Sequence, residues 1–123
     1  MSNIKMTTPK GLTAGGLGYW RRLKKTMEDS GDLKTSDSYV LLLAAQTFEE
    51  YAMARDEIKK NGITLKVLSD RGAEIIKTNP AAPVMNQASA RLLRILDKLG
   101  LTPGSRAKGK REAVDPIGDL MNG

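Results

Sequence analysis

The sequence predicts a mainly α fold of three principal helices with one short β-hairpin, assembled into a ring-forming oligomer. Three observations predict the helices and the hairpin. A chain of 123 residues has room for one domain, and at that size it buries roughly two-thirds of its unfolded surface. Aromatic residues are scarce, only Tyr19, Trp20, Tyr39, Phe48 and Tyr51, so the core must be built from Leu, Ile, Val, Ala and Met, which suits packed helices better than stacked sheets. Apolar residues recur at helical spacing in three stretches, and only the segment before Asn79 alternates with period two.

Residues 1–17 read as a flexible basic arm, residues 18–108 as the helical domain, and residues 109–123 as a C-terminal tail. Thr7, Thr8, Pro9 and Lys10 lead into Gly11, Gly15, Gly16 and Gly18, a composition that resists packing. Neither the dinucleotide glycine fingerprint nor a phosphate-binding G-x-x-x-x-G-K-[ST] loop occurs, so no nucleotide cofactor is expected. Helix one is predicted from Leu17 or Tyr19 to Asp29, where Trp20, Leu23 and Met27 form one stripe and Gly31 ends it.

Helix two is the longest element, from about Ser36 to Lys60, with Thr35 as N-cap, Asp37 on the helix dipole and Gly62 as its stop. Its apolar residues exceed a single face, which calls for more than one neighbour, the second being another subunit. Ile63 to Leu68 alternates, Ser69 to Gly72 supplies turn residues, and Ala73 to Lys77 returns as the second strand. Helix three begins between Pro80 and Pro83 with Asn79 as a cap. Met85, Ala88, Leu92, Ile95 and Leu99 make its stripe; Gly100 ends it and Leu101 folds back.

The chain has no cysteine and no histidine. These absences remove disulfides, thiolate metal sites and the Cys–His and Ser–His nucleophile pairs. Asp56-Glu57-Ile58-Lys59 superficially matches a metal-dependent nuclease element, but consecutive helical side chains diverge, so no catalytic residue and no metal are expected. The N-terminus lacks an apolar signal core and no run approaches the ~20 residues of a membrane span, which together predict a cytoplasmic protein.

Net charge is +6, and it is unevenly spread. The cations Arg21, Arg22, Lys24 and Lys25 lie on helix one, and Arg106, Lys108, Lys110 and Arg111 cluster near the end. Both groups are candidate phosphate contacts, because cationic side chains displace condensed counterions; the bland alternative for each residue is a solvated surface charge. Arg91, Arg94 and Lys98 could join them, or could pair with Glu49 and Glu50 of a neighbour. A standard helix-turn-helix is disfavoured, since helix two offers acidic and apolar rather than basic side chains for a groove.

Asn79-Pro80-Ala81, a helix containing Asn86 and Ala88, and Leu99-Gly100-Leu101-Thr102-Pro103 closed by Ser105-Arg106 resemble the C-terminal half of one family of phage terminase small subunits. Trp20-Arg21-Arg22-Leu23, Leu33 with Thr35-Ser36-Asp37, Phe48 and Tyr51 are similar to its earlier half. The tail Asp115-Pro116-Ile117-Gly118-Asp119-Leu120-Met121 looks like the acidic, apolar ending of many members. The resemblance covers residues 17–108 and that tail, with residues 99–106 its most specific part and the glycine-rich arm a departure. It implies a ring that recognises double-stranded viral DNA in the bacterial host cytoplasm and regulates a large subunit carrying the ATPase and nuclease.

On this reading Leu42, Phe48, Tyr51, Leu92 and Ile95 are expected at the subunit interface. Ile117, Leu120 and Met121, at i, i+3 and i+4, are expected to dock on the large subunit. The rival readings are a repressor-like DNA-binding regulator, monomeric or dimeric, and an adaptor with no affinity for DNA.

Overall fold

A computed structural model describes residues 6–104. It contains α1 (Ala14–Asp29), a 3-10 turn (Thr35–Asp37), α2 (Ser38–Asn61), β1 (Thr64–Leu68), β2 (Glu74–Thr78) and α3 (Ala81–Lys98). The described residues therefore hold three principal helices and one antiparallel hairpin, as the sequence predicts.

α1 starts earlier than the glycines suggest. Thr13 caps it, its Oγ1 accepting from the Gly16 N–H at 3.0 Å. The Glu49 carboxylate of α2 accepts from the Thr13 backbone N–H and adds negative charge at that helix end. Gly16 is what lets α2 come so close: a Cβ there would lie 2.6 Å from Glu49 Cγ. Met6, Leu12 and Leu17 also pack against the core. Residues 14–17, read as part of the arm, therefore lie in α1, and Met6 and Leu12 ahead of them touch the core. Capping and packing outweigh glycine's low helix propensity.

The C-terminal ends of α1 and α3 close around a glycine in the same way. Asp32 N–H donates to Met27 O at 3.0 Å around Gly31, and Leu101 N–H donates to Leu96 O at 2.9 Å around Gly100. The two glycines have φ of 75° and 74°, the left-handed conformation this closure needs. Leu101 is buried, as its predicted fold-back requires. At the start of α2 the predicted Thr35 cap gives way to a 3-10 turn, in which Asp37 Oδ2 accepts from the Lys34 N–H at 2.9 Å.

The helices run antiparallel in pairs. Gly16 and Tyr19 of α1 meet Glu49 and Phe48 of α2, while Arg91 of α3 meets Glu50 and Asn79 meets Glu57. Leu41, Ala44 and Ala45 form the fully buried side of α2, and the two alanines let α1 and α3 approach. Tyr19 stacks on Phe48 with centroids 4.4 Å apart, a pair worth about 1 kcal/mol beyond its burial.

Of the residues expected at a subunit interface, Leu92 and Ile95 are only 5% and 7% exposed and belong to the core cluster of this chain. Leu42, Phe48 and Tyr51 are half-buried, and Phe48 lies between Tyr19 and Tyr51. Among the described residues, the large apolar side chains most exposed on α2 are Tyr39 and Met53, at 71% and 68%.

The hairpin joins α2 to α3 at one end of the bundle. Its register pairs Lys66 with Ile76 and Val67 with Ile75, and Gly72, at φ 79°, turns the chain. The strands pair with each other and barely touch the helices.

Candidate nucleic-acid interface

The polar face of α1 opposes the buried stripe of Tyr19, Trp20, Leu23 and Met27. Helical periodicity therefore turns Arg21, Arg22 and Lys25 to solvent, where all three are exposed. The structure sorts the four predicted cations into two kinds. Lys24 Nζ lies 3.7 Å from Glu28 and 5.8 Å above the Trp20 ring, and Lys25 Nζ lies 3.4 Å from Asp29. These i, i+4 pairs blunt the field of both lysines. Arg21 and Arg22 make no ion pair among the described residues. Their planar guanidinium forks suit phosphate oxygens better than an ammonium does.

The stripe on α3 is divided too. Arg91 Nη1 bonds Glu50 Oε2 at 2.9 Å within the same chain, so the anticipated partner in a neighbour is met internally. Arg94 and Lys98 are exposed.

Arg106, Lys108, Lys110 and Arg111 lie outside the described residues, as do Ile117, Leu120 and Met121. The described chain ends at Gly104, just past α3. Because α2 and α3 are antiparallel, that point is at the end of the bundle where α2 begins, far from the hairpin. The C-terminal half of α1 lies at the same end, since Tyr19 already meets Phe48 and the chain turns back through residues 30–34.

Sequence reasoning missed the polar junction at the other end. Asn79 is 2% exposed and bonded on every side. Its Nδ2 donates to Glu57 Oε2 at 2.9 Å and to Gly62 O at 2.8 Å. Its Oδ1 accepts from Ala81 N–H at 3.0 Å, capping α3. The side-chain bond from Asn79, followed by that from Asn61, holds the Glu57 carboxyl below its ordinary pKa. Glu57 is thus occupied by amide donors, and among the described residues no acidic cluster is placed to hold a metal ion. The cap reading of Asn79 was available from sequence; the reach to Glu57 was not.

A second feature lacks any sequence signal. A cavity of about 470 Å³ opens beside Trp20, walled by Met6, Pro9, Tyr39 and Leu42. Nearby, burial raises the pKa of Tyr19 well above its ordinary value. Its hydroxyl has no hydrogen-bond partner among the described residues.

A family model described as phage terminase, small subunit, matches residues 17–115. The chain belongs to the phage terminase small subunit family. The match in this terminase small subunit begins within α1, spans α2, the hairpin and α3, and runs on through the second basic cluster. Ile117, Leu120 and Met121 fall beyond it. No curated protein and no solved structure matches this terminase small subunit. Among the described residues no helix is long and apolar enough to cross a membrane.

Proposed function

We propose that this terminase small subunit binds double-stranded viral DNA in the host cytoplasm as a ring-shaped homo-oligomer and regulates the large subunit's ATPase and nuclease without catalysing a reaction itself. The observation that carries the DNA reading is the pair Arg21 and Arg22, exposed and without an ion pair among the described residues. It is supported by the chain's course: beyond Gly104 it continues from that end of the bundle into Arg106, Lys108, Lys110 and Arg111. Two cationic groups, one on α1 and one following α3 in the sequence, can track phosphates without reading bases. Ile117, Leu120 and Met121 would supply the apolar contact to the large subunit.

The test is duplex binding measured against salt for wild type and for Arg21→Glu/Arg22→Glu. Two lost phosphate contacts lower the slope of log K against log salt by about two. An unchanged slope removes α1 from the contact set. Solution mass separates the ring from the repressor-like alternative, which would be a monomer or dimer.

A further inference from the structure

We propose that the β1–β2 hairpin is the arm by which one copy of this chain holds the next, with the free edge of β1 pairing antiparallel with the free edge of a neighbour's β2. This rests on the homo-oligomer reading above and assigns it an element. A two-stranded hairpin alone in water is marginal at best, and this one gains little from its own helices. It nevertheless carries apolar residues on both faces. Leu65, Val67 and Ile75 are half-buried on one face, whereas Leu68 and Ile76 are 75% and 69% exposed on the other.

No proline interrupts Thr64–Leu68 or Glu74–Thr78, so both edges keep their backbone donors; Lys66 and Lys77 guard them against unspecific pairing and favour a partner that brings a carboxylate.

The occupant follows from the complementarity of the two strands. On the open face β1 presents Lys66 and Leu68, and β2 presents Glu74 and Ile76. Within one copy these already match, Lys66 opposite Ile76 and Leu68 opposite Glu74, with Lys66 Nζ 3.7 Å from Glu74 Oε1. A neighbour's β2 offers β1 the same anion and the same apolar side chain on its other edge. Repeating that contact head to tail around a rotation axis covers both edges of every hairpin. Nucleic acid fits this surface less well. The cations Lys66, Arg71 and Lys77 are offset by Asp70 and Glu74, which leaves the segment close to neutral in a chain of net charge +6.

Two measurements test the arm. Leu68→Thr/Ile76→Thr keeps strand propensity while removing the apolar contact; the concentration at which the oligomer dissociates should rise at least tenfold, with helix content by circular dichroism unchanged. The native chain has no cysteine, so a Leu68→Cys protein mixed with a Glu74→Cys protein should yield the mixed disulfide on oxidation. That cross-link decides where the two measurements disagree. If the wild type is oligomeric and the two cysteine proteins give no mixed disulfide, the arm is overturned and the oligomer reading stands. A wild type that is monomeric at every concentration overturns both. Unchanged mass with a lowered salt slope for DNA in the Thr variant assigns the hairpin to nucleic acid and overturns the proposal.

Discussion

Asn79 and Glu57 are 22 residues apart in sequence, yet the Asn79 amide donates to the Glu57 carboxylate at 2.9 Å. The same amide also holds the carbonyl of Gly62, where α2 stops. One buried side chain therefore ties together the end of α2, the root of the hairpin and the start of α3. Asn79→Ala should destabilise the fold by about 1–3 kcal/mol, because it strands the Gly62 carbonyl and uncaps α3 together. Denaturant midpoints of the two proteins check this.

The same contact gives stability a pH dependence. The Glu57 pKa is lowered on folding from an ordinary 4.5, so the folded state favours the carboxylate. A depressed folded pKa adds stability that is fully present above the unfolded value and is lost as pH falls through the folded one. Acid titration of the melting temperature should therefore show a loss beginning near pH 4.5 that Glu57→Gln reduces. An identical acid limb in Glu57→Gln would show that the amide bonds do not favour the charged form.

The glycines of α1 should answer substitution differently. Gly18 faces open space, so Gly18→Ala should stabilise by about 0.5–1 kcal/mol through helix propensity alone. Gly16→Ala should destabilise instead, since the new methyl displaces the Glu49 carboxylate that accepts from Thr13. In a Glu49→Ala background the Gly16→Ala loss should shrink, and a double-mutant cycle measures that coupling. Additive effects would show that the close approach is not held by Glu49.

Tyr19 contributes its ring rather than its hydroxyl. The ring is stacked on Phe48, and the buried oxygen has no hydrogen-bond partner among the described residues. Tyr19→Phe keeps the stack and removes the stranded polar group, so unfolding should be unchanged or harder by about 1 kcal/mol. An unchanged m-value would confirm that compactness is unaffected. A large loss would mean that the hydroxyl is bonded in solution.

The helical stripes and their stops were legible because periodicity and a left-handed glycine are local signals. Trp20, Leu23 and Met27 are buried where their spacing puts them, and Gly31, Gly62 and Gly100 have φ of 75°, 87° and 74°. The start of α1 was not legible, because it depends on Glu49, which lies 36 residues from Thr13. The division of apolar residues between core and surface was equally hidden. On α2, where apolar residues exceed one face, Leu41 is in the core while its neighbours Leu42 and Leu43 are half-buried. Only the crossing of α2 with α3 decides that. For the candidate DNA face, sequence placed four cations on α1 but could not rank them, since ranking needs the Glu28 and Asp29 contacts.

That ranking yields the sharpest prediction for the proposed interface. A lysine already shared with a carboxylate one turn away releases fewer counterions on meeting phosphate. Lys24→Gln/Lys25→Gln should therefore lower the salt slope of DNA binding less than Arg21→Gln/Arg22→Gln, although each removes two charges from the same helix. Net charge is equal in the two variants, so any difference reports position and pairing rather than total field. Slopes lowered equally would mean that the Glu28 and Asp29 pairs open when DNA arrives, and that all four cations act as one patch.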